Sequence, residues 1–181
     1  MPTPSLRARF LAAPTFAQFL ESVSAQRELW HTLARRAVVD AALVERAVGL
    51  GRRRHLLVLL EAWCGDAVNT IPTIARLAEL APNLDLRVLA RDENPDLMDA
   101  HRTGGTRSVP VVIVLDERFA ECGWWGPRPA PLQAWVRSEG LTMPVPERYR
   151  EIRRWYARDR GESTIRELTA LLSCEAPCRA A

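Results

Sequence analysis

Leu56-Leu57-Val58-Leu59-Leu60-Glu61-Ala62-Trp63-Cys64-Gly65-Asp66-Ala67 joins an unbroken apolar run to a cysteine and then to a helix-forming segment. Five consecutive aliphatic residues, following Arg52-Arg53-Arg54 at a distance of one residue, suit a strand covered on both faces, as in a central sheet flanked by helices. Residues 66–80 read as the helix that follows. Cys64 therefore falls where strand hands over to helix. There, unsatisfied backbone N–H groups and the positive end of the helix dipole favour thiolate over thiol. The ordinary thiol pKa of ~8.5 is expected to fall at such a place, tempered by the adjacent anion Asp66. Because the thiolate is the attacking species, Cys64 is a candidate nucleophile towards disulfides. Taken alone, a cysteine after an apolar strand also reads as a small core residue.

Outward from this junction the pattern repeats. Residues 84–89 and 110–115 are further apolar runs bounded by turn residues. Between them lies a helical stretch opened by Pro95 and ended at Gly104-Gly105. Asp116-Glu117 turns the third run into residues 118–125, a partner for an antiparallel hairpin. A helix over 130–139, stopped by Gly140, follows. This order makes an α/β unit over residues 55–140.

The flanks read as helical. Phe16, Phe19, Leu20, Val23, Trp30 and Leu33 recur mostly at three, four and seven, which predicts one amphipathic helix over 15–33. A shorter one runs from Asp40 as N-cap to Val48, stopped by Gly49 and Gly51. Residues 1–54 thus form an N-terminal helical extension. Residues 141–181 begin with Pro144-Val145-Pro146 as a rigid connector. Two helices, 147–158 and 164–172, follow and are expected to pack on the same domain; Thr164 and Glu167 are spaced as a capping box.

Composition narrows the function. The 181 residues, 48% hydrophobic, suffice for one core with extensions. A net charge of +3, spread without a run of like charges, argues against nucleic acid. No lysine occurs, so Schiff-base chemistry has no nucleophile. The N-terminus lacks the apolar core of a secretory signal, and the longest apolar run is far short of the ~20 residues that span a bilayer. The expectation is a soluble cytoplasmic protein without membrane contact, whose cysteines Cys64, Cys122, Cys174 and Cys178 are mostly reduced. His31, His55 and His101 are scattered, so no metal site is expected. Cys122 reads as core, and Cys174 with Cys178 as a candidate resolving pair on the tail.

Pro72 lies eight residues after Cys64, inside a helical pattern where proline marks a kink, and Ser108-Val109-Pro110 places another at the start of a buried strand. With Trp63-Cys64, Asp92-Glu93-Asn94-Pro95 and Gly126 after the hairpin, these residues resemble the thioredoxin superfamily over positions 55–139. More narrowly, Trp63-Cys64-Gly65-Asp66-Ala67 with Trp125-Gly126-Pro127-Arg128 resembles a bacterial thioredoxin-like subgroup. That subgroup has a helical N-terminal extension and a basic, aromatic C-terminal helix, here carrying Tyr149, Trp155 and Tyr156. The resemblance implies a thioredoxin-like fold with Cys64 as catalytic residue. It also implies an active-site motif of Trp63, Gly65, Asp66 and Ala67, and a substrate groove shaped by Val109 and a cis Pro110. Two departures matter. The superfamily's resolving cysteine is replaced by Ala67, and its buried carboxylate six residues before the nucleophile by Val58. Two readings follow. One is monothiol thiol-disulfide exchange on a protein or small-molecule client, with no cofactor beyond a low-molecular-weight thiol as co-substrate. The other is a non-redox adaptor that binds peptide in the proline groove. The oligomeric state is not legible.

Overall fold

Every residue of β1 (Arg54–Leu60) is buried, and its five residues 56–60 are aliphatic without polar alternation, as a strand covered on both faces requires. In the computed structural model, which describes residues 4–173, β1 pairs in parallel with β2 (Leu84–Ala90). On its other side it pairs antiparallel with β3 (Val111–Leu115), which pairs antiparallel with β4 (Glu121–Trp125). The result is a mixed four-stranded sheet of order β2-β1-β3-β4. Val58 lies opposite Val88 on one side and Val112 on the other, so the centre of the sheet is aliphatic in every direction.

Seven helices complete the strand-helix unit and its flanks up to the C-terminal segment: α1 (Leu6–Ala12), α2 (Phe16–Ser22), α3 (Arg27–Arg36), α4 (Ala41–Gly49), α5 (Gly65–Leu80), α6 (Pro95–Ala100) and α7 (Ala130–Ser138). The helix expected over 15–33 is in fact two, α2 and α3. Thr15 opens α2 with a capping box to Gln18. The chain then breaks at Val23, and Gln26 adopts a left-handed conformation before α3. Both helices point aromatic residues at one cluster, with Phe19 and Trp30 rings 5.0 Å apart, which is why the apolar period ran through the break. The helix α1 was not anticipated; its N-cap Ser5 accepts from the Ala8 N–H, and its Phe10 is buried beside His55.

The C-terminal segment is helical, with α8 (Val145–Asp159) and α9 (Glu162–Leu172), but two local readings need correction. Val145 and Pro146 are the first residues of α8 rather than a connector; a proline has no N–H to lose in a first helical turn. Thr164 does not cap α9, which starts two residues earlier after a left-handed Gly161. Thr164 is buried inside the helix. Glu167 instead accepts from Trp125 Nε1 and from the Ala130 N–H, both at 2.8 Å, tying α9 to the end of β4 and the start of α7.

Ile165, Leu168 and Leu172 of α9 belong to the same core as the sheet, as do Phe10, Phe16 and Trp30 from the N-terminal helices. A second, smaller core of Leu132, Val136, Ile152 and Tyr156 joins α7 to α8. No helix among the described residues is long and apolar enough to cross a membrane.

Candidate active site

Cys64 is the N-cap residue of α5. The turn before it is held from several directions. Its own N–H bonds the Glu61 carbonyl at 2.9 Å, the Arg91 N–H bonds the Leu60 carbonyl, and Glu61 Oε1 accepts from the Asp92 N–H. The N-terminal extension supplies two more bonds: Trp30 Nε1 donates to the Ala62 carbonyl at 2.9 Å, and Gln26 Nε2 to the Trp63 carbonyl at 2.6 Å. Gln26 and Trp30 carried no sequence signal of this role, because their contacts are tertiary.

The Val109–Pro110 peptide is cis, and the Cys64 Sγ–H donates to the Val109 carbonyl at 3.2 Å. Gly126 secures this loop from the other side. A Cβ on Gly126, at φ +132°, would sit 2.1 Å from the Pro110 carbonyl oxygen, so only glycine admits the close approach. The Gly126–Pro127 peptide is also cis, and Arg128 follows it.

Arg128 returns to the start of α5. Its guanidinium pairs with Asp66 Oδ2 at 2.6 Å, and the Tyr156 hydroxyl from α8 donates to Asp66 Oδ1 at 2.9 Å. Asp66 is buried, and burial pushes its carboxyl up, with Arg128 and Tyr156 pulling it back. The Tyr156 hydroxyl is raised by its own burial and by that carboxylate. A charge-assisted network of this kind fixes the register of α5, the loop after β4 and α8 together.

The Cys64 thiol does not follow the expectation of a lowered pKa. Only 6% of the residue is exposed, and burial raises its pKa above the ordinary thiol value. The backbone N–H groups of Ala67 and Asp66 lower it, as the helix terminus should, but burial outweighs them and the Asp66 charge adds to the rise. A protonated thiol also suits the bond to Val109, since a carbonyl oxygen can only accept.

Of the expected site residues, Cys64, Gly65, Asp66 and Val109 line one cleft of about 440 Å3, with Trp63 on its rim at 56% exposure beneath the Arg91 guanidinium. Ala67 is fully buried one turn along α5 and contributes no thiol. Cys122 is half-buried against the edge of the core. Cys174 and Cys178 lie outside the described residues. No cluster of metal-ligating side chains occurs among those that are described.

A family model described as thioredoxin matches residues 13–144. Two solved structures share the fold over nearly the whole chain. One is a protein of unknown function from Pseudomonas aeruginosa, 22% identical with a TM-score of 0.73, covering 94% of this chain and 98% of that one. The other is an HIV epitope scaffold, 24% identical with a TM-score of 0.71, covering 93% and 98%. No curated protein matches.

Proposed function

The chain belongs to the thioredoxin family, and on that premise we propose that it performs monothiol thiol-disulfide exchange at Cys64, an external thiol completing the cycle. The observation that carries this reading is the seat of the sulfur: at the N-terminus of α5, against the Val109 carbonyl, in the wall of an open cleft, with Ala67 where an internal resolving thiol would stand. A raised pKa changes the kinetics rather than the chemistry. Fewer molecules carry thiolate at neutral pH, but each thiolate is a stronger nucleophile, and a high-pKa thiol leaves slowly from a mixed disulfide. The mixed disulfide at Cys64 is then long-lived until a second thiol attacks it. Only disulfide and thiol exchange partners, so no cofactor is required.

The test is catalysis of exchange between a small chromogenic disulfide and excess thiol. Turnover is expected to disappear in Cys64→Ser and to persist when Cys122, Cys174 and Cys178 are all serine. Equal rates for wild type and Cys64→Ser would refute the reading. A second reading, peptide binding without redox chemistry, draws support from the burial of Cys64 and predicts binding that survives Cys64→Ser with no exchange at all.

A further inference from the structure

Cys64 does not open onto a free surface. Its cleft is lined by Gln26 and Leu29 from the N-terminal extension and by Tyr149, Ile152 and Arg153 of α8. A folded partner would have to bring a disulfide past side chains of both extensions to a buried sulfur. A small molecule would not, and the cleft volume lies within the ~300–1,000 Å3 typical of small-ligand sites.

The charge of the cleft is one-sided. Arg91, Arg107, Arg128 and Arg153 line it, against Asp66 as the single carboxylate in the lining. Arg91 and Arg107 hold Asp92 and Asp99, whose carboxylates stand outside the lining. Arg128 pairs with Asp66 and leaves its buried Nε without a partner. Arg153 is exposed and forms no ion pair among the described residues. Guanidinium groups recognise carboxylates through paired N–H bonds. Leu29, Trp63 and Tyr149, all exposed, offer apolar contact for the body of such a molecule.

We propose that the disulfide exchanged at Cys64 is a small anionic one bearing carboxylates, drawn into the cleft by Arg153; this rests on the exchange reading above. Cys64 first loses its proton to solvent. The thiolate attacks one sulfur of the disulfide, a bond forms between Cys64 Sγ and that half, and the original S–S bond breaks. The other half leaves as a thiolate and is protonated by water. A second thiolate of the same class then attacks the mixed disulfide, forming a new small disulfide and returning Cys64. One disulfide is consumed and one produced, so no further oxidant or reductant enters.

The experiment uses the protein with Cys122, Cys174 and Cys178 replaced by serine, and three probes: dithiodipropionate (dianionic), hydroxyethyl disulfide (neutral) and cystamine (dicationic). Rates of mixed-disulfide formation are normalised to those of free mercaptoethanol. The dianion is expected to react roughly tenfold or more faster than the neutral probe, and the dication slower. That ratio should fall towards one in Arg153→Glu, and in the unchanged protein at about 1 M salt, where screening shortens to ~3 Å. Exchange with all three probes and no charge preference overturns the anionic substrate while leaving the exchange reading intact. Calorimetry on Cys64→Ser separates the other failure: if the dianion binds there in an Arg153-dependent way but Cys64 never reacts, exchange is refuted and the anion site stands. The absence of both binding and reaction overturns both readings.

Discussion

At Cys64 the backbone donors of a helix terminus lower the thiol pKa, while burial and the neighbouring Asp66 raise it, and burial is the largest of the three. Asp66→Asn removes one of the two raising influences and leaves the Arg128 charge uncompensated beside the thiol. The midpoint of Cys64 alkylation by iodoacetamide is therefore expected to move to lower pH in that variant; an unchanged or higher midpoint would show that Asp66 does not act on the sulfur. The variant is also expected to be less stable by about 3 kcal/mol, since it breaks a largely buried ion pair. At Gly126 the limit is steric. Gly126→Ala forces a methyl onto the Pro110 carbonyl, where nothing flexible can yield, and is expected to cost more than about 3 kcal/mol in urea unfolding. A cost under 1 kcal/mol would mean that the two loops do not meet as described.

Among the elements, α6 and β4 are joined through a buried histidine. His101 Nδ1 faces the Leu97 carbonyl at 2.7 Å and Nε2 faces Glu121 Oε1 at 3.1 Å, with the edge of Trp124 closing the site. Two acceptors on one ring call for two N–H donors, the charged form. Burial opposes that charge, but the bonds to Glu121 and Leu97 prevail and the pKa is raised. A raised folded value means that the folded state binds more protons, so the stability contributed by His101 is full below the unfolded value of ~6.5 and is lost as pH rises through the folded one. His101→Gln is expected to destabilise by about 1–2 kcal/mol at acid pH and by less at alkaline pH. Taking the difference from wild type removes the opposite trend of His55, whose burial lowers its pKa. A difference that grows with pH would contradict the assignment.

At this scale much of the architecture is legible in the sequence. The central strands were legible because a doubly covered strand needs an unbroken aliphatic run, which 56–60 and 111–115 have, whereas β2 alternates, with Asp85 and Arg87 between buried Leu84, Leu86 and Val88. The α2–α3 break was not, because Phe16, Phe19 and Trp30 converge on one cluster and keep a helical period through it. Thr164 and Glu167 had the spacing of a capping box, yet Glu167 bonds to Trp125 and Ala130, which local sequence cannot reveal. The position of Cys64 at a helix start followed from the strand-helix order. Its burial was legible only as one of two readings, a cysteine after an apolar strand also suiting the core; that Gln26, Leu29 and α8 line its cleft was not legible. Asp66 was visible as a neighbouring charge; its partner Tyr156, ninety residues away, was not.

For the whole molecule, α9 shares the sheet's core whereas α8 rests on the smaller core with α7 and on the Tyr156–Asp66 bond. We infer that residues 4–54 and 141–173 fold with residues 55–140 as one cooperative unit. Leu168→Ala, at a fully buried position of α9, is expected to cost about 2–5 kcal/mol and to lower the tryptophan-fluorescence and circular-dichroism transitions together. Separate transitions would show that the C-terminal helices unfold independently. Tyr156→Phe removes only a hydroxyl, so its stability cost should be smaller, about 1 kcal/mol.

Under the exchange mechanism proposed above, Cys64 reacts in the folded protein and has no partner within its own motif to release the product. The most direct measurement is intact mass after incubation with a small disulfide, using protein in which Cys122, Cys174 and Cys178 are serine. A single adduct at Cys64 is expected, persisting until free thiol is added and then disappearing, whereas Ala67→Cys on the same background should shed the adduct by closing a disulfide with Cys64. An unmodified folded protein whose Cys64 reacts only in urea would contradict that mechanism, and would leave a thioredoxin fold in which that cysteine is part of the core.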